Sequence, residues 1–253
     1  MGRITETVKV LLIVNVIFYL GSLFVLNPDT AISIFALWFW EYPAFQFWQP
    51  LTHMFMHDLG SPMHIIFNMY ALWAFGSAIE NRLGRNRFIF FYFSAGLGAA
   101  LIHSLVNYYN FQQGYQVFLD AGYTPEKLAQ VLSEGTAPGT YWNDSRIPIE
   151  VSQKMFSAYN VPAVGASGAI YGVLVAFAMA FPNVALMLFF VPIPIKAKYF
   201  VPVLIIIDLF SGITGFSVFG QNIANWAHLG GALFGFVMMW YWKKNSFNQN
   251  RWN

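Results

Sequence analysis

Six apolar stretches, near 8–26, 63–81, 87–108, 163–181, 199–217 and 225–242, constrain this chain more than any other feature. A helix rises ~1.5 Å per residue, so each stretch is long enough to cross ~30 Å of hydrocarbon once tilt and an occasional polar position are allowed. The expected fold is therefore all-α, a single polytopic membrane domain over 1–253 with six transmembrane helices. Charge agrees with this: 9% of residues are charged, where a soluble domain carries roughly 25%. The lipid bilayer is thus the first partner. A net charge of +2 gives no reason to expect nucleic acid, and the absence of Cys excludes disulfides and thiol catalysis.

Lys and Arg set the orientation. Arg3 and Lys9, Arg82, Arg85 and Arg87, Lys196 and Lys198, and Lys243, Lys244 and Arg251 all fall on one side of a six-span arrangement. Only Lys127, Arg146 and Lys154 fall on the other, so the positive-inside rule puts both termini in the cytoplasm. The N-terminal residues lack a small-residue cleavage site, which makes the first run a retained span and a bacterial cytoplasmic membrane the simplest location. The first connection, about 27–62, holds Trp38, Trp40 and Trp48 among few charges, as interfacial segments do. A long extracytoplasmic connection, 109–162, separates helices three and four and carries five acids. Within it Thr124-Pro125-Glu126 starts one short helix that Gly135 stops.

Four polar side chains share a depth. In this topology the second, fourth and sixth helices all run inward from the outer surface, and His64, Asn68, Ser167 and His228 lie within about two turns of their starts. Each alone reads as a packing or hydrogen-bonding residue. Together they read as chemistry. Gly168 and Gly172, and Gly231 and Gly235, form small-xxx-small faces that let the fourth and sixth helices approach, so Ser167 and His228 would share an interface. A serine nucleophile needs a base, and a neutral imidazole is available at neutral pH. No acid at this level offers itself as a third member, which leaves a Ser-His dyad whose ring is oriented by packing. Tyr171 lies on the face of Ser167 and is placed to stack on that ring. His64 and Asn68, an i, i+4 pair, point toward one space, where they and the backbone N–H groups at Ser167 would face an oxyanion.

Asp208, midway along the fifth helix, is costly in hydrocarbon; a proton site and a hydrogen bond to a neighbouring helix are the two readings, the second favoured. His53 and His57 have metal-like i, i+4 spacing, but no third ligand or H-E-x-x-H is evident, so both are expected to position the loop. No metal or other cofactor is called for. His103 is expected to be an interface residue.

Gly165-Ala-Ser167-Gly168, Ala227-His228-Leu-Gly-Gly231-Ala-Leu-Phe-Gly235 and His64-Ile-Ile-Phe-Asn68 resemble the three signature segments of the rhomboid intramembrane serine proteases. The resemblance spans about Trp48 to Trp240. It implies a rhomboid-like six-helix bundle in which Ser167 is nucleophile and His228 base. It further implies that His64 and Asn68, with Gly165 beside them, serve the oxyanion and substrate, and that transmembrane protein substrates are cut, often after a small residue. The other reading is a non-catalytic relative that binds transmembrane clients; such relatives generally lack the nucleophile or the base. Two departures stand out: Trp48-Gln49 replaces the family's frequent Trp-Arg, and the third-to-fourth connection is longer than in compact members.

Overall fold

A computed structural model of the chain describes residues 3–133, 145–188, 191–216 and 224–245. The described residues are largely helical. The apolar stretches become α1 (Glu6–Phe24), α4 (Pro62–Ala71) continued through a π-helical turn into α5 (Ser77–Leu83), α6 (Arg85–Asp120), α9 (Ser167–Ala180), α10 (Ala197–Thr214) and α11 (Asn225–Asn245). Among the described residues α1, α6 and α10 are each long and apolar enough to cross a membrane. Two short helices, α2 (Pro28–Phe35) and α3 (Gln49–Thr52), lie in the first connection.

The centre of the bundle is built on absent side chains. Helices α6, α9 and α11 pack together, and a Cβ on Gly231 would lie 1.8 Å from the Gly168 carbonyl oxygen. One on Gly235 would lie 2.6 Å from the Gly172 Cα. The backbones of α9 and α11 thus touch, which in the absence of a hydrophobic drive between lipid-bathed helices gives them packing and weak backbone contacts. Helix α1 is fastened at its start by the buried Glu80 of α5, whose carboxylate accepts from the Thr5 hydroxyl and from the N–H groups of Thr7 and Val8. That satisfies donors a helix N-terminus leaves free.

Three features depart from expectation. The helical bundle carries one small hairpin: β1 (Ala185–Leu188) pairs antiparallel with β2 (Val191–Lys196) between the fourth and fifth apolar stretches. Pro192 and Pro194 exclude a helix there, and the intervening Ile193 and Ile195 favour extended backbone. Second, the third helix does not end near 108. At 36 residues α6 runs to about 54 Å, longer than the ~30 Å of a hydrocarbon core, because Gly114 is carried inside the helix without ending it and the stop comes only at Ala121-Gly122. Third, the connection holds two further helices, α7 (Pro125–Ser133) and α8 (Ile149–Asn160), where one was expected. Helix α7 starts where Thr124-Pro125 predicts, the Thr124 hydroxyl accepting from Lys127 N–H at 3.3 Å; Gly135 lies outside the described residues.

The end of α6 packs with α7 and α8 around a second hydrophobic core of Phe111, Phe118, Leu128, Met155 and Phe156, into which the first connection inserts Phe39. Gly114 makes room for it: a Cβ there would meet the Met155 side chain at 2.4 Å. Phe39 lies 5.0 Å from Phe111 between ring centres, and Tyr42 meets Tyr159 edge-on at 5.2 Å. Helices α7 and α8, the end of α6 and the first connection are therefore one packed unit.

Candidate active site

Helix α9 begins at Ser167 itself. Gly165, at φ +125°, turns the chain from an extended segment into the helix, a conformation that favours glycine. The extended segment is pinned on both sides: Leu37 and Ala163 exchange both backbone hydrogen bonds at 2.9 Å, and Gly165 N–H donates to the His53 carbonyl at 3.0 Å. The Ile170 N–H, bonded to the Ala166 carbonyl, begins the intrahelical ladder. Earlier N–H groups have no intrahelical acceptor and sit at the positive end of the helix dipole.

Ser167 Oγ lies 2.9 Å from His228 Nε2, the serine and the imidazole coming from α9 and α11 across their glycine contact. The Tyr171 ring stacks on the imidazole at 4.2 Å and 10°. The fifth helix corrects the expectation of an unaided dyad. Asp208 of α10, only 2% exposed, places its carboxylate oxygens 3.3 and 3.4 Å from His228 Nδ1. Asp208 therefore does bond a neighbouring helix, and the neighbour is the histidine beside the serine. Helix α10 stops at Thr214 with Gly215 in the left-handed region, three residues before the apolar run ends, so Asp208 lies nearer the helix's C-terminal end than the run implies.

His64 Nδ1 accepts the Asp58 N–H at 3.2 Å, which in a neutral imidazole leaves the proton on Nε2. That nitrogen faces Gly165: a Cβ built there would lie 3.0 Å from His64 Nε2 and 3.4 Å from Ser167 Oγ. The missing side chain keeps a small space open between the two. Asn68, one turn further along α4, is buried, and its Nδ2 has no hydrogen-bond partner among the described residues.

Two of the remaining histidines, His53 and His57, hold the loop. His53 Nδ1–H donates to the Gln49 carbonyl at 3.1 Å, and the His57 ring meets the His64 ring edge-on at 5.3 Å. Burial pushes the His53 imidazole down to about 4 and, with His64 adding to it, the His57 imidazole down to about 3. Gln49, where an Arg anchor is missing, is fully buried; it donates to the Ser33 and Ala44 carbonyls and accepts from Trp38 N–H. His103 on α6 pairs with Asn107 at 3.1 Å. No group of three or more metal-ligating side chains occurs among the described residues.

The Rhomboid domain model matches residues 44–119 and 145–245. The chain belongs to the rhomboid family. That makes it a multi-pass membrane protein, and the break in the match between 119 and 145 brackets α7. Among similar proteins, the mouse presenilin-associated rhomboid-like protein, mitochondrial, is 31% identical over 182 residues, 72% of this chain and 34% of that protein. Rhomboid protein 1, mitochondrial, of Saccharomyces cerevisiae is 26% identical over 72% of this chain and 38% of its own length. Rhomboid protease GlpG of Salmonella newport is 39% identical over 62 residues, 24% of this chain and 22% of that protein. The chain thus spans about a third of the length of these two mitochondrial relatives. The mitochondrial names lend no support to a bacterial cytoplasmic membrane as its location.

Proposed function

We propose that this rhomboid protein is an intramembrane serine endopeptidase that cleaves transmembrane or juxtamembrane segments of membrane proteins. The observation that carries this reading is the 2.9 Å contact between Ser167 Oγ and His228 Nε2 at the glycine-lined crossing of α9 and α11. In the reaction the Ser167 oxygen attacks the scissile carbonyl as His228 Nε2 takes its proton. The tetrahedral oxyanion sits in the space beside Gly165, facing His64 Nε2–H, the Asn68 amide and the free N–H groups at the start of α9. His228 then returns the proton to the leaving amine. A water, deprotonated by the same imidazole, hydrolyses the acyl-enzyme and restores the serine.

A six-span topology with both termini on the Lys- and Arg-rich side is part of the proposal. It puts the starts of α4, α9 and α11 at one level, so the site opens toward the opposite surface, under the unit formed by α7, α8 and the first connection. No cofactor enters any step. Retention of both nucleophile and base speaks against a purely client-binding role. The test is cleavage of a transmembrane substrate in liposomes by wild type, Ser167→Ala and His228→Ala. Loss of cleavage in both variants is expected, and undiminished cleavage by either refutes the assignment.

A further inference from the structure

We infer that Asp208 is a positioning residue for the proposed hydrolysis, holding His228 in the tautomer that leaves Nε2 free to accept the Ser167 proton. The inference rests on the protease reading and extends it from two residues to three.

A neutral imidazole carries its single proton on either nitrogen, and only the form protonated at Nδ1 can act as base toward Ser167. The groups facing the ring decide which. Ser167 and Tyr171 face it from α9, Asp208 from α10, and His64 of α4 and His103 of α6 lie within electrostatic reach. Tyr171 offers Nδ1 only its ring face. The acceptor against Nδ1 is the Asp208 carboxylate, which with both oxygens at 3.3 and 3.4 Å takes an N–H from that atom and cannot give one. The Tyr171 ring, stacked on the imidazole at 4.2 Å and 10°, holds the plane in which Nδ1 meets that carboxylate.

As Ser167 gives up its proton the ring becomes a cation. The bifurcated contact then shortens toward the ~2.7–2.9 Å of a charge-assisted bond, so that stabilisation is larger in the transition state than at rest. The proton passes from Ser167 Oγ to Nε2 and later from Nε2 to the leaving amine. Neither transfer passes a proton to Asp208.

The rival role is a plain tie between α10 and α11, and the two roles give different readouts. Cleavage kinetics in liposomes are measured for wild type, Asp208→Asn and Asp208→Glu beside Ser167→Ala and His228→Ala. Asp208→Asn is expected to lower kcat by about 10²–10⁴ with KM within about twofold, because the amide can donate to Nδ1 and force the proton onto Nε2. Asp208→Glu, which restores the carboxylate, is expected to recover at least part of that loss. Imidazole ¹⁵N NMR of the wild type, with the His228 signal assigned from its disappearance in His228→Ala, is expected to show Nδ1 protonated and Nε2 bare. This measurement stands even where an Asp208 variant does not fold. A His228 protonated at Nε2, or an Asp208→Asn enzyme whose Tm falls while kcat is unchanged, overturns the inference. Should Ser167→Ala or His228→Ala still cleave, the protease reading itself falls; should both be dead and Asp208→Asn keep wild-type kcat, only the role of Asp208 falls.

Discussion

The contact that brings serine and histidine together depends on one missing methyl group, and Gly231→Ala tests it. A Cβ at 231 would lie 1.8 Å from the Gly168 carbonyl oxygen, 2.6 Å from its carbon and 3.2 Å from its Cα. Real Cβ atoms essentially never approach heavy atoms closer than 3.0 Å, so the obstruction, being backbone, must retreat by at least about 1.2 Å. His228 lies one turn before Gly231 and Ser167 one residue before Gly168, so the same displacement reaches the site. It stretches the 2.9 Å Ser167–His228 contact to about 4 Å, past hydrogen-bond range. Misplacement of about 1 Å between catalytic groups costs about 10²-fold in rate, and forcing a methyl into a packed interface costs about 1–3 kcal/mol. The expected Gly231→Ala phenotype is therefore a kcat at least about 10²-fold lower together with a lower Tm, measured by cleavage of a transmembrane substrate in liposomes and by thermal unfolding in detergent. Gly21→Ala in α1 is the control, since a Cβ there meets nothing within 4 Å; it should keep full activity and gain up to about 1 kcal/mol. Wild-type kcat in Gly231→Ala would refute the reasoning, since it would mean that the helices part without parting the two catalytic groups.

Asn68→Ala should lower kcat by about 10²–10³ with little change in KM, as loss of one oxyanion donor does, and an unchanged kcat would remove Asn68 from the site. Acidification should destabilise the fold through His53 and His57. Their folded values of about 4 and about 3 lie below the unfolded ~6.5, so below that pH the unfolded chain binds more protons and stability is lost. At pH 5 the loss is about 2 kcal/mol for each residue, and a Tm that stays flat from pH 7.5 to pH 5 would refute it. Glu80→Ala should cost about 1–3 kcal/mol by stranding the Thr7 and Val8 N–H groups; a Tm equal to wild type would show that water replaces the carboxylate.

What the sequence disclosed about this site was what sequence encodes locally. Ser167 and His228 each sit in a glycine-rich stretch whose spacing alone says that two helices touch there, and equal distance from helix starts put His64 and Asn68 at the same level. Asp208 was legible as an anomaly but not as a partner. The apolar run around it extends to 217, whereas the helix ends at Thr214 with Gly215, and three residues are worth about 4.5 Å of depth. An antiparallel helix is measured from its far end, so an error there moves a side chain out of a plane that near-end counting fixes well. The second helix of the long connection fails to show for a different reason. In α8 the buried face is Ser152, Met155, Phe156 and Ala158, too mixed to announce a helix by itself. It becomes a core face only because α6 continues to Asp120 and supplies Phe111, Gly114 and Phe118 opposite it.

That unit bears on the chemistry through backbone geometry. The segment between α8 and Ser167 is six residues long, and two of them are fixed from outside: Ala163 by Leu37 and Gly165 by the His53 carbonyl. Leu37 belongs to the same connection that drives Phe39 into the second core, and His53 is held by its ring to Gln49, whose amide in turn gathers the Ser33, Ala44 and Trp38 backbone. The start of α9 is therefore set from both sides, by the helix it follows and by the loop it pairs with. An oxyanion space bounded by Gly165, His64 Nε2 and Ser167 Oγ works only if those atoms keep their distances to within a fraction of an ångström, since electrostatic stabilisation of a transition state requires donors aimed in advance. A serine on an unsupported loop would have to pay for that order on each turnover. Here folding has already supplied it, through aromatic packing in the second core and glycine contacts between α9 and α11.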